Sequence, residues 1–188
     1  MRTKIKKSLV LLDRDGTLIE ERHFIKHASQ VRLLPGVPQA LRKLKKAGFP
    51  LVVVSNQSGV GRGLMTRTHV ERVNRRFLKL LQIQRAPVDA LYWCPHHPKD
   101  RCSCRKPKLG MVKQAARALK VPWRRSISVG DRPSDVILGQ RTGGAGILVL
   151  TGYGRKWTKK PKIVRPDHTA ATFRHAADWI LKQERKKR

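Results

Sequence analysis

Asp13 and Asp15 stand two positions apart, directly after the apolar run Leu9-Val10-Leu11-Leu12 and directly before Gly16. In a strand, residues i and i+2 point to the same side, so the two carboxylates share a side. Gly16 lets the chain bend away sharply. Two acids at a strand's carboxyl end can hold a hard cation, attack an electrophile and shuttle a proton. Taken alone, the same residues also fit a hairpin turn with solvated acids.

Four further groups narrow that choice. Ser55-Asn56-Gln57-Ser58-Gly59-Val60-Gly61-Arg62-Gly63 follows a second apolar run. Its hydroxyls, amides and flexible backbone suit donation to phosphate oxygens, although a solvated glycine-rich loop has the same composition. Arg105 and Lys106 offer a guanidinium fork and an ammonium directly after Cys104. Asp131 ends another apolar run, with Arg132 beside it; Asp135 either completes a cation site or caps a helix, and a supporting role behind the ligands is the expectation. Cys94, Cys102 and Cys104 are all the cysteines of the chain, within eleven positions. An odd, clustered set is a poor disulfide framework and a good metal site. With His96 they make a Cys₃His set suited to structural Zn²⁺, in a loop spanning residues 94–104. His97 is the competing imidazole and reads as a solvent-facing loop histidine.

These groups need rigid elements to hold them. Residues 8–12, 51–54, 88–93, 126–129 and 146–150 read as strands. Pro35-Gly36 opens a helix closed by Gly48, Thr66 caps a long helix through about Leu81, and residues 111–119 and a segment from Pro133 read as two more. A last helix is expected over residues 170–182, a basic surface loop over 153–166, and a disordered basic tail over 183–188. Strand alternating with helix is the pattern of a doubly wound α/β sheet, mainly parallel, with helices on both faces. Ligands in such sheets sit beyond the strands' carboxyl ends, and Asp13 and Asp15, Ser55-Asn56, Cys94 and Asp131 each follow an apolar run. A single domain over residues 1–182 accounts for the whole pattern.

Lys and Arg number 43 against 12 acids in 188 residues, a formal charge of +31. Such a charge bears on partners and solubility, not on fold. It predicts salt-dependent, non-specific attraction to polyanions. The cations are densest at residues 1–7, 159–165 and 185–188, without the aromatic-studded strand or single basic helix that marks specific nucleic-acid reading. Three of the scarce acids, Asp13, Asp15 and Asp131, stand at strand ends. No run is long enough for a membrane span. Clustered free cysteines and the absence of a signal segment place the chain in the cytoplasm, and a monomer is expected.

Taken together, the four pieces around Asp13, Ser55, Lys106 and Asp131 resemble the haloacid dehalogenase superfamily of phosphohydrolases. The resemblance runs through most of the chain, in order. It implies a doubly wound sheet with Mg²⁺ at the strand ends. By that resemblance Asp13 is the nucleophile that forms an aspartyl-phosphate and Asp15 the general acid and then base. Asp131, the Asp13 carboxylate and the Asp15 backbone carbonyl ligate Mg²⁺. Ser55 and Asn56 hold the transferring phosphoryl group, with Gln57, Ser58 and Arg132 in the same substrate-binding set, and Lys106 neutralises its charge. Physically, a phosphomonoester dianion repels a carboxylate nucleophile, and Mg²⁺ with Lys106 cancels that repulsion. Crowding by Asp13 is expected to raise the proton affinity of Asp15.

The cysteine loop running into Arg105-Lys106-Pro107 narrows the resemblance to the heptose-1,7-bisphosphate 7-phosphatases, with the histidinol-phosphate phosphatases sharing the same loop. That implies a small enzyme without a large cap domain, acting on a phosphorylated sugar. Arg105 would meet a second phosphate, and Glu21, Arg22, His23 and Phe24 would line the rim. The polynucleotide 3′-phosphatases share the Asp-x-Asp start and the Asn-Gln-x-Gly loop but not the cysteines. A polyanion-binding protein on a phosphatase fold is the non-enzymatic alternative. The chain departs from the heptose family in its charge.

Overall fold

The computed structural model describes residues 7–159 and 163–186. In chain order the elements are β1 (Val10–Leu12), α1 (Val37–Lys46), β2 (Leu51–Asn56), α2 (Arg67–Ile83), β3 (Ala90–Cys94) and α3 (Gly110–Leu119). Then come β4 (Ile127–Gly130), α4 (Pro133–Arg141), β5 (Gly146–Val149), α5 (Gly154–Thr158), β6 (His168–Ala170) and α6 (Phe173–Arg185). The strands form one sheet in the order β3-β2-β1-β4-β5-β6, parallel at every pairing. The order reverses between β1 and β4, the place where a crevice opens beyond the strand ends. Leu12 is in register with Val129, so Asp13 and the segment leading to Asp131 leave the sheet side by side.

The apolar runs are continuous because the sheet is covered on both faces. Val10 and Leu12 pack with Leu41 and Leu44 of α1, Phe77 of α2 and Phe173 of α6. Leu9 and Leu11 pack with Val112 and Ala115 of α3 and Leu138 of α4 on the opposite face. Local signals set the helix starts. The Thr66 side chain accepts the His69 N–H at 3.2 Å to cap α2, and Asp135 accepts the Arg132 N–H at 3.1 Å at the start of α4.

Several expectations shift. β1 begins at Val10 instead of residue 8, with the Leu9 carbonyl still accepting the Ile127 N–H at 3.0 Å and the Ser8 hydroxyl donating to the Arg124 carbonyl at 2.8 Å. The third strand lies further on, ending at Cys94, and α2 continues to Ile83. The segment read as a basic loop contains α5. Ala170 ends the edge strand β6 instead of opening the last helix. That helix continues through Arg185, so the first residues of the expected tail are helical, and Lys7 reaches Glu184 at 2.7 Å. Most of the amino-terminal basic cluster, residues 160–162 of the second and residues 187–188 of the third lie outside the described residues. No helix among the described residues is long and apolar enough to cross a membrane.

Candidate active site

A cavity of ≈ 530 Å³ opens beyond the carboxyl ends of β1 and β2, with Asp13, Asp15 and Lys106 in its wall. The Asp13 N–H still donates to Val129 O at 2.9 Å, which fixes its place at the end of the sheet. Lys106 Nζ lies 2.6 Å from Asp13 Oδ1 and 2.7 Å from Asp135 Oδ1, all three side chains being buried. Carboxylate oxygens of Asp13, Asp131 and Asp135 lie within 4.8 Å of one another. Among the described residues Lys106 is the one buried cation against these three carboxylates, and the half-exposed Arg132 guanidinium, 3.9 Å from Asp131 Oδ1, offsets them only in part. Burial pushes Asp13 from 3.8 up to about 7 against the pull of Lys106, with Asp135 and Asp15 adding to the rise. Burial likewise lifts Asp131 to about 8, helped by Asp13 and Asp135. Burial alone would lower Lys106, yet Asp13 and Asp135 hold its proton and raise it above 10.5.

The residues present fit a divalent cation with a preference for oxygen. Asp131 Oδ2 accepts the Tyr153 N–H at 2.7 Å, but its buried Oδ1 has no hydrogen-bond partner among the described residues. The backbone closes tightly around that carboxylate. Gly16 and Gly152 both have positive φ, and a Cβ on either would meet Asp131 Oδ2 at 2.3 and 2.2 Å. Three hard donors, one of them a carboxylate oxygen without a hydrogen-bond partner among the described residues, suit a divalent cation that prefers oxygen. Asp135 therefore stands within the carboxylate cluster while also capping α4. The side chain of Asp15 is not in that cluster.

Asp15 faces other partners. Arg14 forks onto it, and Gln57 Nε2 donates to Asp15 Oδ2 and to Ser55 Oγ, each at 2.7 Å. The Asn56 amide pairs with the backbone of Lys106, donating to its carbonyl at 3.2 Å and accepting its N–H at 3.0 Å. Asn56 thus ties the β2 loop to the segment that carries the lysine. Ser55, Asn56, Gln57 and Ser58 all line the cavity, as do Glu21, His23, Phe24, Arg105 and Arg132. Arg22 is not among the lining residues; it pairs with Glu20 at 2.7 Å. Buried Arg105 Nη1 has no hydrogen-bond partner among the described residues. Burial raises Glu21, with the Asp15 charge adding to the effect. Residues to which the sequence assigned no site role complete the wall: Ile25, Arg62, Pro133 and Ser134, with Trp157 and Ile163 from the segment taken as a loop.

The cysteine loop closes on itself. Cys94 Sγ lies 3.7 Å from Cys102 Sγ and 3.4 Å from His96 Nδ1, which is 3.2 Å from Cys104 Sγ. A tetrahedron built on Zn–S bonds of about 2.3 Å has edges of roughly 3.8 Å, so the spacing suits zinc. Burial pushes the Cys94 thiol up to about 12. His97 is outside the cluster and accepts the Lys99 N–H at 3.1 Å. Cys104 leads directly into Arg105 and Lys106, so this loop is the mount for both cations.

Residues 103–176 match the family described as "HAD-hyrolase-like". The chain is 34% identical over 180 residues to D-glycero-beta-D-manno-heptose-1,7-bisphosphate 7-phosphatase of Escherichia coli K12, covering 92% of this chain and 87% of that protein. The chain belongs to the heptose-1,7-bisphosphate 7-phosphatase family. The Thermosynechococcus vestitus member is 35% identical over 184 residues, covering 91% of this chain and 94% of its own. A Bordetella bronchiseptica family structure, solved with magnesium and phosphate, superposes with a TM-score of 0.84 at 32% identity. That match covers 94% of this chain and 99% of the other. Family membership makes this protein a phosphatase of the haloacid dehalogenase superfamily, a phosphoric monoester hydrolase.

Proposed function

We propose that this phosphatase removes the 7-phosphate of D-glycero-D-manno-heptose 1,7-bisphosphate, with Mg²⁺ at the acid cluster and Zn²⁺ in the cysteine loop. The observation that carries the reading is a nucleophile-capable carboxylate, Asp13, held 2.6 Å from a buried ammonium and backed by two further buried acids. The named substrate of the family relatives supports the sugar bisphosphate. Asp13, Asp131 and Asp135, with the Asp15 carbonyl, would hold Mg²⁺. When bound, the ion supplies positive charge that offsets the repulsion between carboxylate and phosphate dianion.

The chain's own residues then divide the work. Lys106 neutralises phosphoryl oxygens, and Ser55, Gln57 and Ser58 orient them. An Asp13 oxygen bonds to phosphorus while the bond from phosphorus to the sugar oxygen breaks, and that oxygen takes the proton of Asp15. Asp15 then takes a proton from water as the water oxygen bonds to phosphorus, freeing orthophosphate and the Asp13 carboxylate. Arg105, with its unpaired buried Nη1, suits the second phosphate, and Arg62 and Arg132 suit the rim. The test is phosphate release from heptose bisphosphate, histidinol phosphate and 3′-phosphorylated DNA, each with Mg²⁺ and with chelator. Heptose bisphosphate should give the highest kcat/KM, and only with Mg²⁺. A preference for either rival substrate, or full turnover under chelation, would overturn the reading.

A further inference from the structure

Arg14, between the two motif acids, is only 1% exposed. Arginine is almost never fully buried unless its N–H groups are paired. Nε and Nη2 lie 3.2 and 3.0 Å from Asp15 Oδ1, and Nη2 lies 2.9 Å from Asp15 Oδ2. Nη1 donates to Asn74 Oδ1, on the inner face of α2. With the bond from Gln57, the Asp15 oxygens accept four N–H bonds. No residue of α2 lines the cavity. A helix remote from the reacting atoms therefore reaches Asp15 through a single guanidinium.

We propose that Arg14, held from α2 by Asn74, is a positioning residue that sets the direction in which Asp15 meets the leaving oxygen. The proposal rests on the reading of Asp15 as proton donor. A planar fork fixes a carboxylate in its plane as well as in distance, which an ammonium does not. Asn74 fixes the plane of the fork. Without that acceptor Arg14 pivots, and Asp15 turns with it. Misplacement of a catalytic group by about 1 Å costs on the order of 10²-fold in rate.

The test follows the leaving group. Phosphoryl-enzyme formation is timed in single turnovers with a sugar phosphate, whose alkoxide must be protonated, and with p-nitrophenyl phosphate, whose phenolate leaves without a proton. Asn74→Ala should slow the sugar phosphate by about tenfold to a hundredfold and leave p-nitrophenyl phosphate and both KM values unchanged. Asn74→Asp, which keeps the acceptor, should restore the sugar phosphate rate. Arg14→Lys is the second variant should Asn74→Ala not fold, with the same selective loss expected. Equal slowing of both substrates, or of neither, overturns the clamp. Asp15→Asn is the control. If it spares the sugar phosphate, the proton-donor reading itself fails; if it alone shows the selective loss, only the clamp does.

Discussion

Asp13 and Lys106 form the close pair on which the proposed chemistry turns, and their neighbours decide how the protein responds to pH. Asp13→Asn keeps the shape but removes the attacking charge. Turnover should fall by about 10⁴-fold or more, the scale of losing a nucleophile, while thermal unfolding remains cooperative; residual activity near the parent's would contradict the assignment. The folded protein holds protons on Asp13 to about 7 and on Asp131 to about 8, against 3.8 ordinarily. Over that interval the folded state binds more protons than the unfolded chain, so stability declines as pH rises. Metal-stripped protein should therefore unfold at lower temperature at about pH 8 than at about pH 5. Mg²⁺, which binds only the folded cluster, should raise Tm more at the higher pH. A Tm indifferent to both variables would mean that these carboxylates do not cluster in solution.

The loop from Cys94 to Lys106 is the element that most directly joins folding to catalysis. Cys102→Ser should lower zinc stoichiometry, reduce Tm by about 5 °C or more and cut kcat, because Arg105 and Lys106 follow Cys104 without a spacer. Unchanged zinc content in that variant would remove the site as drawn. At the other end of the sheet, Gly146 packs so closely on α4 that a Cβ would lie 2.1 Å from Val136 O. Gly146→Ala should therefore cost about 1–3 kcal/mol by urea unfolding; a variant as stable as the parent would show that α4 can shift. The central strands were legible because strands buried on both faces read as continuous apolar runs. α5 and β6 were not, since five residues and three residues hold too little of either period to register. Asp135 carried two signals at once, membership of a cation site and a helix start, and the structure puts it in both places, so neither signal alone could have decided between them. Arg14 gave no signal at all, because one arginine among 43 cations looks like surface.

Across the whole molecule the acids are few and nearly all have a task. Of 12, Asp13, Asp15, Glu21, Asp131 and Asp135 stand in the site. Others fix the scaffold: Asp89 holds Lys45 and the Leu51 N–H, Asp167 accepts the Gly146 N–H, and Asp178 pairs with Lys43. Among the described residues the excess cations lie on the exposed faces of α1, α2, α3 and α6 alike, with no single surface singled out there. Duplex DNA should accordingly bind at low salt, with an affinity that falls steeply as salt rises and shows no preference for ends or sequence. Affinity that persists at high salt would point to a dedicated nucleic-acid surface. Arg62, Arg105 and Arg132 bring the same excess to the cavity itself. A field that gathers dianions treats reactant and product alike. Released orthophosphate leaves against that attraction, so its escape in dilute buffer should be slow. Added electrolyte, which shrinks the reach of exposed charge to roughly 8 Å at physiological strength, should then raise kcat; a kcat that falls or stays flat as salt rises would show that product escape does not set the pace.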